Sequence, residues 1–305
     1  MSISESRYRG RFAPSPTGPL HFGSLIAAVS SYLQARSQDG EWLLRIEDID
    51  QPRCSEQATT EILRALEHYG LHWDDEVSYQ SQRNTLYEHA LSSLQASGKV
   101  YGCACSRKDI ASIARAGTDG FIYPGTCREG IPAGKTARAV RVKTDNSKII
   151  INDPVQGVIT QHILTDAGDF ILKRADGLFA YQLAVVVDDA EQRITEIVRG
   201  CDIFDLTPRQ VWLQQQMDYP TPGYVHTPVA LNSKGQKLSK QHHASPLALD
   251  EPRPALLHAL EFLGQQPPLD LRDSNLDSIL DWAITNWSLE NVPRMREVES
   301  SEYNE

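Results

Sequence analysis

A chain of 305 residues with 40% hydrophobic and 23% charged side chains has the composition of a soluble globular protein of two or three domains. No apolar run approaches the ~20 residues that cross a bilayer, and residues 1–7 lack the apolar core of a signal peptide, so we expect a cytoplasmic protein with no membrane partner. Five cysteines, three of them clustered, argue against a disulfide framework.

The formal net charge of −10 by itself disfavours broad binding to nucleic acid. The charge is unevenly distributed, because residues 245–305 hold twelve Asp or Glu and four Arg. The other 244 residues therefore carry a net charge of only −2, which is compatible with a local basic surface.

The first hundred residues alternate predicted strands and helices. Apolar spacing predicts strands at 8–13 and 42–48 and helices at 20–34 and 58–69, the last ending at a glycine C-cap. This alternation predicts an α/β fold with a Rossmann-like, doubly wound parallel sheet.

The pattern changes near residue 99. Short β-like runs at 139–142, 148–151 and 170–173 predict an inserted α+β module over 99–185. Strands at 184–189 and 196–199, with a helix at 208–217, then resume the α/β pattern, and helices at 254–263 and 276–287 complete the described pattern. The two halves of a Rossmann domain are predicted at 1–98 and 186–245. The inserted module is predicted at 99–185 and a helical region at 246–305.

Two distant segments carry the chemistry, Arg-Phe-Ala-Pro-Ser-Pro-Thr-Gly-Pro-Leu-His-Phe-Gly-Ser (11–24) and Lys-Leu-Ser-Lys (237–240). The first is not a P-loop, since no Gly-Lys-Ser/Thr follows, so phosphate would meet free N–H groups at a helix start with His21 as a donor. Gly23 would let a flat adenine approach the backbone. Lys237 and Lys240 would stabilise the charge that builds as pyrophosphate leaves. Either segment alone is more often a helix cap or solvated charge; together they predict an ATP site that forms an acyl-adenylate.

These segments resemble the class I aminoacyl-tRNA synthetases, specifically the glutamyl branch. Residues 11–24 correspond to that branch's His-Ile-Gly-His element with its lead-in, and 237–241 correspond to its Lys-Met-Ser-Lys-Ser element. Leu-Arg-Ile-Glu-Asp at 44–48 and Val-Arg-Gly-Cys-Asp at 198–202 also match, so the likeness spans residues 8 to about 245. Ser24 at the fourth position is usual in this branch, and Gln241 replaces the final Ser without changing either lysine.

The resemblance implies specific roles for the residues of both segments. The implied catalytic residues are His21, Lys237 and Lys240. The implied ATP-binding residues are Thr17, His21, Gly23, Ser24 and Lys240.

The resemblance also implies a pocket for L-glutamate, whose two carboxylates and one ammonium require arginine, polar groups and an anion. In this pocket Glu47 would face the ammonium, and the remaining implied ligands are Arg11, Phe12, Ala13, Pro14, Ser15, Tyr181 and Arg199. Structural alternatives stay open: Arg11 and Glu47 as a strand-end ion pair, Arg199 paired with Asp202, and Tyr181 as a core residue whose hydroxyl is satisfied.

Three cysteines lie within the predicted module, at 103, 105 and 127. Zinc prefers four ligands, mostly thiolate or imidazole, but no histidine lies between residues 90 and 161. The resemblance implies Tyr123 as the fourth ligand, beside Cys103, Cys105 and Cys127, of one structural Zn²⁺. The alternative is a group of three reduced thiols.

Full synthetases of this branch continue into a large helical anticodon-binding region, whereas this chain has about sixty residues after its lysine loop. The resemblance therefore implies a truncated paralogue of the branch. Such a paralogue activates L-glutamate with ATP and Mg²⁺ in the absence of tRNA, then transfers glutamate to queuosine at the wobble position of tRNA(Asp). We expect a monomer. Two alternatives stay open: a compact synthetase that charges the 3′ end of tRNA(Glu), and a non-catalytic RNA-binding paralogue.

Overall fold

The computed structural model describes residues 7–117, 120–238 and 245–300. The first part of the chain builds a parallel three-stranded sheet in which the second strand pairs with both others. In chain order its elements are β1 (Arg9–Phe12), α1 (Phe22–Arg36), β2 (Glu41–Ile46), α2 (Glu56–His68), β3 (Asp74–Tyr79) and α3 (Asn84–Ala96). The two predicted strands and two predicted helices in this part are confirmed.

The middle of the chain is antiparallel. Its elements are β4 (Val100–Cys103), α4 (Arg107–Ala111), β5 (Arg115–Gly117), β6 (Gly120–Ile122), β7 (Ala139–Val142), β8 (Lys148–Asp153), β9 (Gly157–His162) and β10 (Ile171–Lys173). The strand β7 lies between β10 and β4, whereas β8 with β9 and β5 with β6 form hairpins. The three β-like runs predicted here are therefore strands.

The last part returns to parallel strand pairs, β11 with β12 and β13 with β14. Thr195, just before β11, donates its backbone N–H to the carbonyl of Arg9 at 2.9 Å, which joins this part to the first sheet. The elements are α5 (Tyr181–Glu191), β11 (Glu196–Gly200), α6 (Thr207–Gln216), β12 (Gly223–Thr227), β13 (Val229–Leu231), α7 (Pro252–Phe262), α8 (Leu276–Asn286) and β14 (Glu297–Glu299). Single helical turns occur at Gln51–Arg53, Gln80–Gln82, Ile163–Ala167, Cys201–Leu206, Leu269–Asp273 and Leu289–Asn291.

The predicted strand at 184–189 is wrong, because these residues belong to the helix α5. Valines favour strands, and every residue from Leu183 to Val187 is buried, so the segment offers no polar face from which a helical period can be read. The helix also runs across residue 185, where the module was predicted to end, and the domain boundaries stay predictions. This correction places Asp188 and Asp189 on a buried helix.

The fold brings the ends of four parallel strands to one edge. Ligands in open α/β sheets bind beyond the carboxyl ends of the strands. At this edge β1 leads into the loop of residues 13–20, β2 ends beside Glu47, and β11 and β12 end at Gly200 and Thr227. The predicted site residues are therefore attached to a rigid support, packed beneath by a core that includes Trp42 between Phe12 and Tyr32.

Candidate active site

His21 forms the start of α1. Its Nδ1 accepts a hydrogen bond from the backbone N–H of Ser24 at 3.2 Å, so it caps the helix. A neutral imidazole that accepts at Nδ1 carries its proton on Nε2, and this nitrogen lies 3.1 Å from the hydroxyl of Ser24. Both ring nitrogens of His21 therefore lie next to Ser24, in the first turn of the helix.

The second predicted segment reaches the same place from the other half of the fold. Leu238 donates its backbone N–H to the carbonyl of Ala230 of β13 at 2.8 Å, which holds residues 237–238 against that strand. A Cβ on Gly23 would lie only 2.7 Å from the carbonyl oxygen of Leu238, so the two backbones approach as closely as a glycine allows. Lys237 Nζ lies 2.6 Å from Asp202 Oδ2, whereas Lys240 lies outside the described residues.

Both segments line one cavity of about 570 Å³. The residues predicted for ATP binding or catalysis that line this cavity are Thr17, His21, Gly23, Ser24 and Lys237. Phe12 and Pro14, predicted for the glutamate pocket, also line it, and Ala13 lies between them in the loop. Segments more than two hundred residues apart in the chain therefore share one chamber, which is large enough for a small-molecule ligand.

A second cavity of about 390 Å³ adjoins the first. Its lining includes three residues predicted to bind glutamate, Ser15, Glu47 and Tyr181, and one predicted to bind ATP, Thr17. Ser15 and Thr17 line both cavities, so the same loop forms a common wall between them. The backbone N–H of Glu47 donates to the carbonyl of Pro14 at 3.0 Å, which fixes this loop to the end of β2.

Buried charges lie behind the second cavity. Asp189 of α5 accepts from Arg11 at 3.2 Å and from Arg45 at 2.9 Å, and Arg45 also lies 3.3 Å from Glu47. Arg11 is therefore paired with Asp189. The strand-end alternative, in which Arg11 pairs with Glu47, is not what the structure shows. Burial raises the pKa of Glu47, an effect that Arg45 and Arg11 oppose. Burial also disfavours the ionised form of Asp189, but Arg45 and Arg11 outweigh it and hold the pKa of Asp189 below its ordinary value.

Arg199 is oriented by neutral groups. Its Nε donates to His226 Nε2 at 3.0 Å and its Nη2 donates to the Thr207 hydroxyl at 2.9 Å, so the suggested ion pair with Asp202 is not formed. The buried Nη1 of Arg199 has no hydrogen-bond partner among residues 7–117, 120–238 and 245–300. An unpartnered guanidinium nitrogen in a buried site is suited to an incoming carboxylate.

Tyr181 lines the second cavity, whereas Arg11 and Arg199 are not among the lining residues. Both arginines nevertheless affect the pKa of Tyr181. Burial raises the pKa of Tyr181, whereas Arg199 and Arg11 lower it and Glu47 raises it further. Four of the eight predicted glutamate ligands, Arg11, Glu47, Tyr181 and Arg199, therefore interact electrostatically.

The cysteines of the module converge. The Sγ atoms of Cys103, Cys105 and Cys127 all lie within 4.8 Å of one another, and the hydroxyl of Tyr123 lies 3.4 Å from both Cys103 and Cys105. Four ligands around a tetrahedral Zn²⁺ with bonds of about 2.3 Å are separated by about 3.8 Å. The distance of 3.7 Å between Cys105 Sγ and Cys127 Sγ fits this geometry, so the cluster can hold a metal ion.

The carboxylates and the imidazole that contact Arg11 and Arg199 are not among the site residues that the sequence predicts. Asp189 lies on a helix that the sequence predicts as a strand. His226 and Asp153 lie on different strands, and only their contact reveals them. One signal was available: Arg45 lies in the same short motif as Glu47, and a buried arginine requires a carboxylate partner.

The parallel sheet and the loop-to-helix cavity define the class of protein. A family model described as tRNA synthetases class I (E and Q), catalytic domain, matches residues 7–274. A glutamate tRNA ligase from Elizabethkingia meningosepticum, crystallised in complex with its amino acid, is similar in fold, with a TM-score of 0.79 over 97% of this chain and 67% of that chain at 23% identity. The glutamate-tRNA synthetase of Elizabethkingia anophelis is also similar, with a TM-score of 0.78, 24% identity and coverage of 97% of this chain and 68% of that chain.

Closer relatives narrow the class. The Glutamyl-Q tRNA(Asp) synthetase of Dechloromonas aromatica is 54% identical over 95% of this chain and 97% of its own length. The protein of that name from Chromobacterium violaceum is 52% identical over the same shares of the two chains. The chain belongs to the class I synthetases for E and Q, and within them to the glutamyl-Q tRNA(Asp) synthetase family. Within the described part of the chain, none of the helices has the length and apolar character needed to span a membrane.

Proposed function

We propose that this protein activates L-glutamate with ATP in the absence of tRNA, forming glutamyl-adenylate, and then transfers glutamate to queuosine at the wobble position of tRNA(Asp). The observation that carries the proposal is the pair of adjoining cavities. One is lined by the His21 turn and by Lys237, the other contains Glu47 and Tyr181, and Ser15 lines both. Cavities that share lining residues can hold two substrates side by side, with their reacting atoms close together.

In the first reaction, an oxygen of the glutamate α-carboxylate attacks the α-phosphorus of ATP, and the bond to the β-phosphate breaks to release pyrophosphate. The start of α1 and the Nε2–H of His21 would donate to phosphate oxygens. Lys237 would exchange its exposed partner, Asp202, for the triphosphate, and Lys240 would act with it. Positive charge on these side chains stabilises the leaving group as its negative charge increases.

Glutamate binding would use the buried charges already described. The unpartnered Nη1 of Arg199 and the guanidinium of Arg11 would hold the carboxylates, and Glu47 would hold the ammonium. Burial raises the pKa of Glu47, and an arriving ammonium would favour its ionised form. Ser15 and Tyr181 would supply hydroxyl groups at the wall of the pocket, with Phe12, Ala13 and Pro14 fixing the loop.

In the second reaction, a hydroxyl of the queuosine cyclopentene ring attacks the glutamyl carbonyl, its proton leaves, and AMP departs. The names of the relatives support this acceptor. The charge distribution supports an RNA partner, because residues 99–185 contain twelve Lys or Arg and eight Asp or Glu although the whole chain has a net charge of −10. A basic module beside the cavities can bind phosphates of a stem-loop while the reacting base enters the site.

The cysteine cluster would hold one structural Zn²⁺, with Cys103, Cys105, Cys127 and Tyr123 as ligands. The distances among the three sulfurs and the phenol oxygen support this assignment. Bound zinc would cross-link the start of the module, where β5 and β6 are only three residues each. Magnesium would accompany ATP and neutralise part of its charge. We expect the enzyme to act as a monomer in the cytoplasm.

The proposal is tested by measuring ATP–pyrophosphate exchange with purified protein, glutamate and zinc, with and without tRNA. We expect exchange that requires glutamate and does not require tRNA; absence of exchange would refute activation. Labelled glutamate is then presented to tRNA(Asp) with and without queuosine, and to tRNA(Glu). The labelled tRNA is then cut with a nuclease and the labelled fragment is identified. Label in the anticodon fragment of queuosine-containing tRNA(Asp), and none on queuosine-free tRNA(Asp), supports the proposed acceptor. Label only on tRNA(Glu), in the fragment that carries its 3′-terminal adenosine, would identify a compact glutamyl-tRNA synthetase.

A further inference from the structure

A network of buried hydrogen bonds connects Asp153, in the β8–β9 hairpin, through His226 to Arg199 of the proposed glutamate pocket. Arg199 of β11 and His226 of β12 are partners in the parallel register, so their side chains leave neighbouring strands on the same side. The imidazole lies between Arg199 Nε at 3.0 Å and Asp153 Oδ2 at 2.7 Å. The side chains of His226 and Asp153 are completely buried.

The hydrogen-bond donors around His226 determine which ring nitrogen carries the proton. A guanidinium can only donate, so His226 Nε2 must accept from Arg199 and carries no proton. Nδ1 then carries the proton of the neutral ring and donates it to Asp153. The hydroxyl of Thr207 lies 3.1 Å from the same nitrogen, accepts from Arg199 Nη2 at 2.9 Å and donates to the carbonyl of Ile203 at 3.5 Å. Burial lowers the pKa of His226 to about 4, with Arg199 acting in the same sense and Asp153 against it, which agrees with a neutral ring.

Asp153 is itself held firmly by the turn of the β8–β9 hairpin. Its Oδ1 accepts backbone N–H groups of Val155 at 2.9 Å and Gln156 at 2.8 Å. The side chain of Gln156 donates to the carbonyl of His226 at 3.0 Å and so attaches the turn to β12. The carboxylate oxygen that faces His226 therefore has a fixed position, and with it the tautomer of the ring.

We propose that His226, held in one tautomer by Asp153, is a positioning residue that orients Arg199 toward a carboxylate of the amino-acid substrate. With Nε and Nη2 bound to the protein, the plane of the guanidinium is fixed and Nη1 is the nitrogen left for the ligand. This inference rests on the proposed function, since it assigns the substrate of Arg199 to glutamate. It also makes the hairpin of the module part of the glutamate pocket.

The test uses Asp153→Asn, which has the same shape. The new amide can still accept the two backbone N–H groups, but it presents N–H to His226 Nδ1, which favours the other tautomer. The proton on Nε2 then faces the Nε–H of Arg199, two donors with no acceptor between them. We expect the KM for glutamate in pyrophosphate exchange to rise about 10- to 100-fold, with the KM for ATP unchanged and kcat within about threefold. Nitrogen-15 NMR should show His226 protonated on Nε2.

Two further variants separate orientation from folding. His226→Gln can keep an acceptor near the position of Nε2, so its KM for glutamate should lie closer to wild type than that of His226→Leu. Adding Asp153→Asn to His226→Gln should raise the KM little further, because no ring remains whose tautomer can change. Asp169→Asn is a matched control, since Asp169 is a buried carboxylate of the same module that accepts from Thr144 and Arg128. It should leave the KM for glutamate unchanged.

The outcomes are distinguishable. Wild-type exchange together with a changed tautomer and an unchanged KM for glutamate in Asp153→Asn would refute the positioning role alone. A wild-type protein that shows no glutamate-dependent exchange would refute the proposed function and this role with it. Equal rises in the KM for glutamate in Asp153→Asn and Asp169→Asn would show a general effect of loosening the module and would also refute the specific role.

Discussion

Replacing Gly23 with alanine tests whether the two nucleotide segments must touch. The new Cβ would lie 2.7 Å from the carbonyl oxygen of Leu238 and 3.2 Å from the ring of His21. Carbon-to-oxygen contacts normally begin at about 3.3 Å, so the Leu238 carbonyl must recede by roughly 0.6 Å. That carbonyl belongs to a residue held on β13 by a hydrogen bond of 2.8 Å to Ala230, so the movement is resisted.

Two opposing effects determine the magnitude. Alanine in place of glycine in a helix stabilises by up to about 1 kcal/mol, whereas overpacking costs about 1–3 kcal/mol. The steric effect dominates because the clash is with backbone, and we expect a net loss of about 1–2 kcal/mol. If residues 237–238 move outward and the whole loss falls on ATP binding, the KM for ATP should rise about 5- to 30-fold.

The assay is pyrophosphate exchange with ATP varied at saturating glutamate, then glutamate varied at saturating ATP, together with thermal denaturation. The KM for glutamate should stay near wild type, because the second cavity is lined by other residues. Gly223→Ala is the control, since a Cβ there would meet only the side chain of Glu196, at 3.3 Å. A Gly23→Ala protein with wild-type KM for ATP, kcat and melting temperature would refute the argument that the close approach of the segments matters for ATP.

Three further results are expected. Lys237→Met should lower kcat of exchange about 100-fold, while stability changes by less than ~1 kcal/mol because its pair with Asp202 is exposed; a larger loss on unfolding by urea would contradict this. Asp189→Asn should destabilise the protein by about 3 kcal/mol at neutral pH. Because the pKa of Asp189 is lowered in the folded protein, its contribution is present above about pH 4 and is lost as pH falls through the lowered pKa, so the difference between variant and wild type should shrink in acid. Cys105→Ser should lower bound zinc, measured by atomic emission, from about one ion per chain toward none, without raising the KM for glutamate.

Local signals allowed much of the fold to be predicted. The helix α2 has a serine cap and buries Ala58, Ile62, Ala65 and Leu66 on one face, so its period is visible in the sequence. The helix α5 has no such polar face and was mistaken for a strand. The strand β3 was not predicted, because it begins with Asp74, Asp75 and Glu76, and its pairing with β2 is a long-range contact. The burial of α5 on all sides and the pairing of β3 with β2 arise only in the folded protein, so local sequence patterns do not show them.

The candidate site divides in the same way. Motifs predict His21, Lys237, Glu47 and the cysteines as site residues, because most residues of each motif are close in sequence. The prediction that the His21 and Lys237 segments form one ATP site rests on their joint occurrence and on the resemblance, since no local pattern connects the two segments. The carboxylate and imidazole partners of Arg11 and Arg199 could not be named from the sequence, because hydrogen bonds between elements far apart in the chain leave no spacing to read.

Ser15 and Thr17 of one loop line both chambers, so the two chambers adjoin. A single uncleavable molecule that occupies both would therefore lose its translational and rotational freedom once, although it makes the contacts of two ligands. Stable sulfonamide mimics of the acyl-phosphate, with an adenosine at one end and a glutamyl group at the other, should accordingly bind much more tightly than either fragment. Inhibitor design for this enzyme should begin from the linker and its fit to the loop, and only then turn to the two ends.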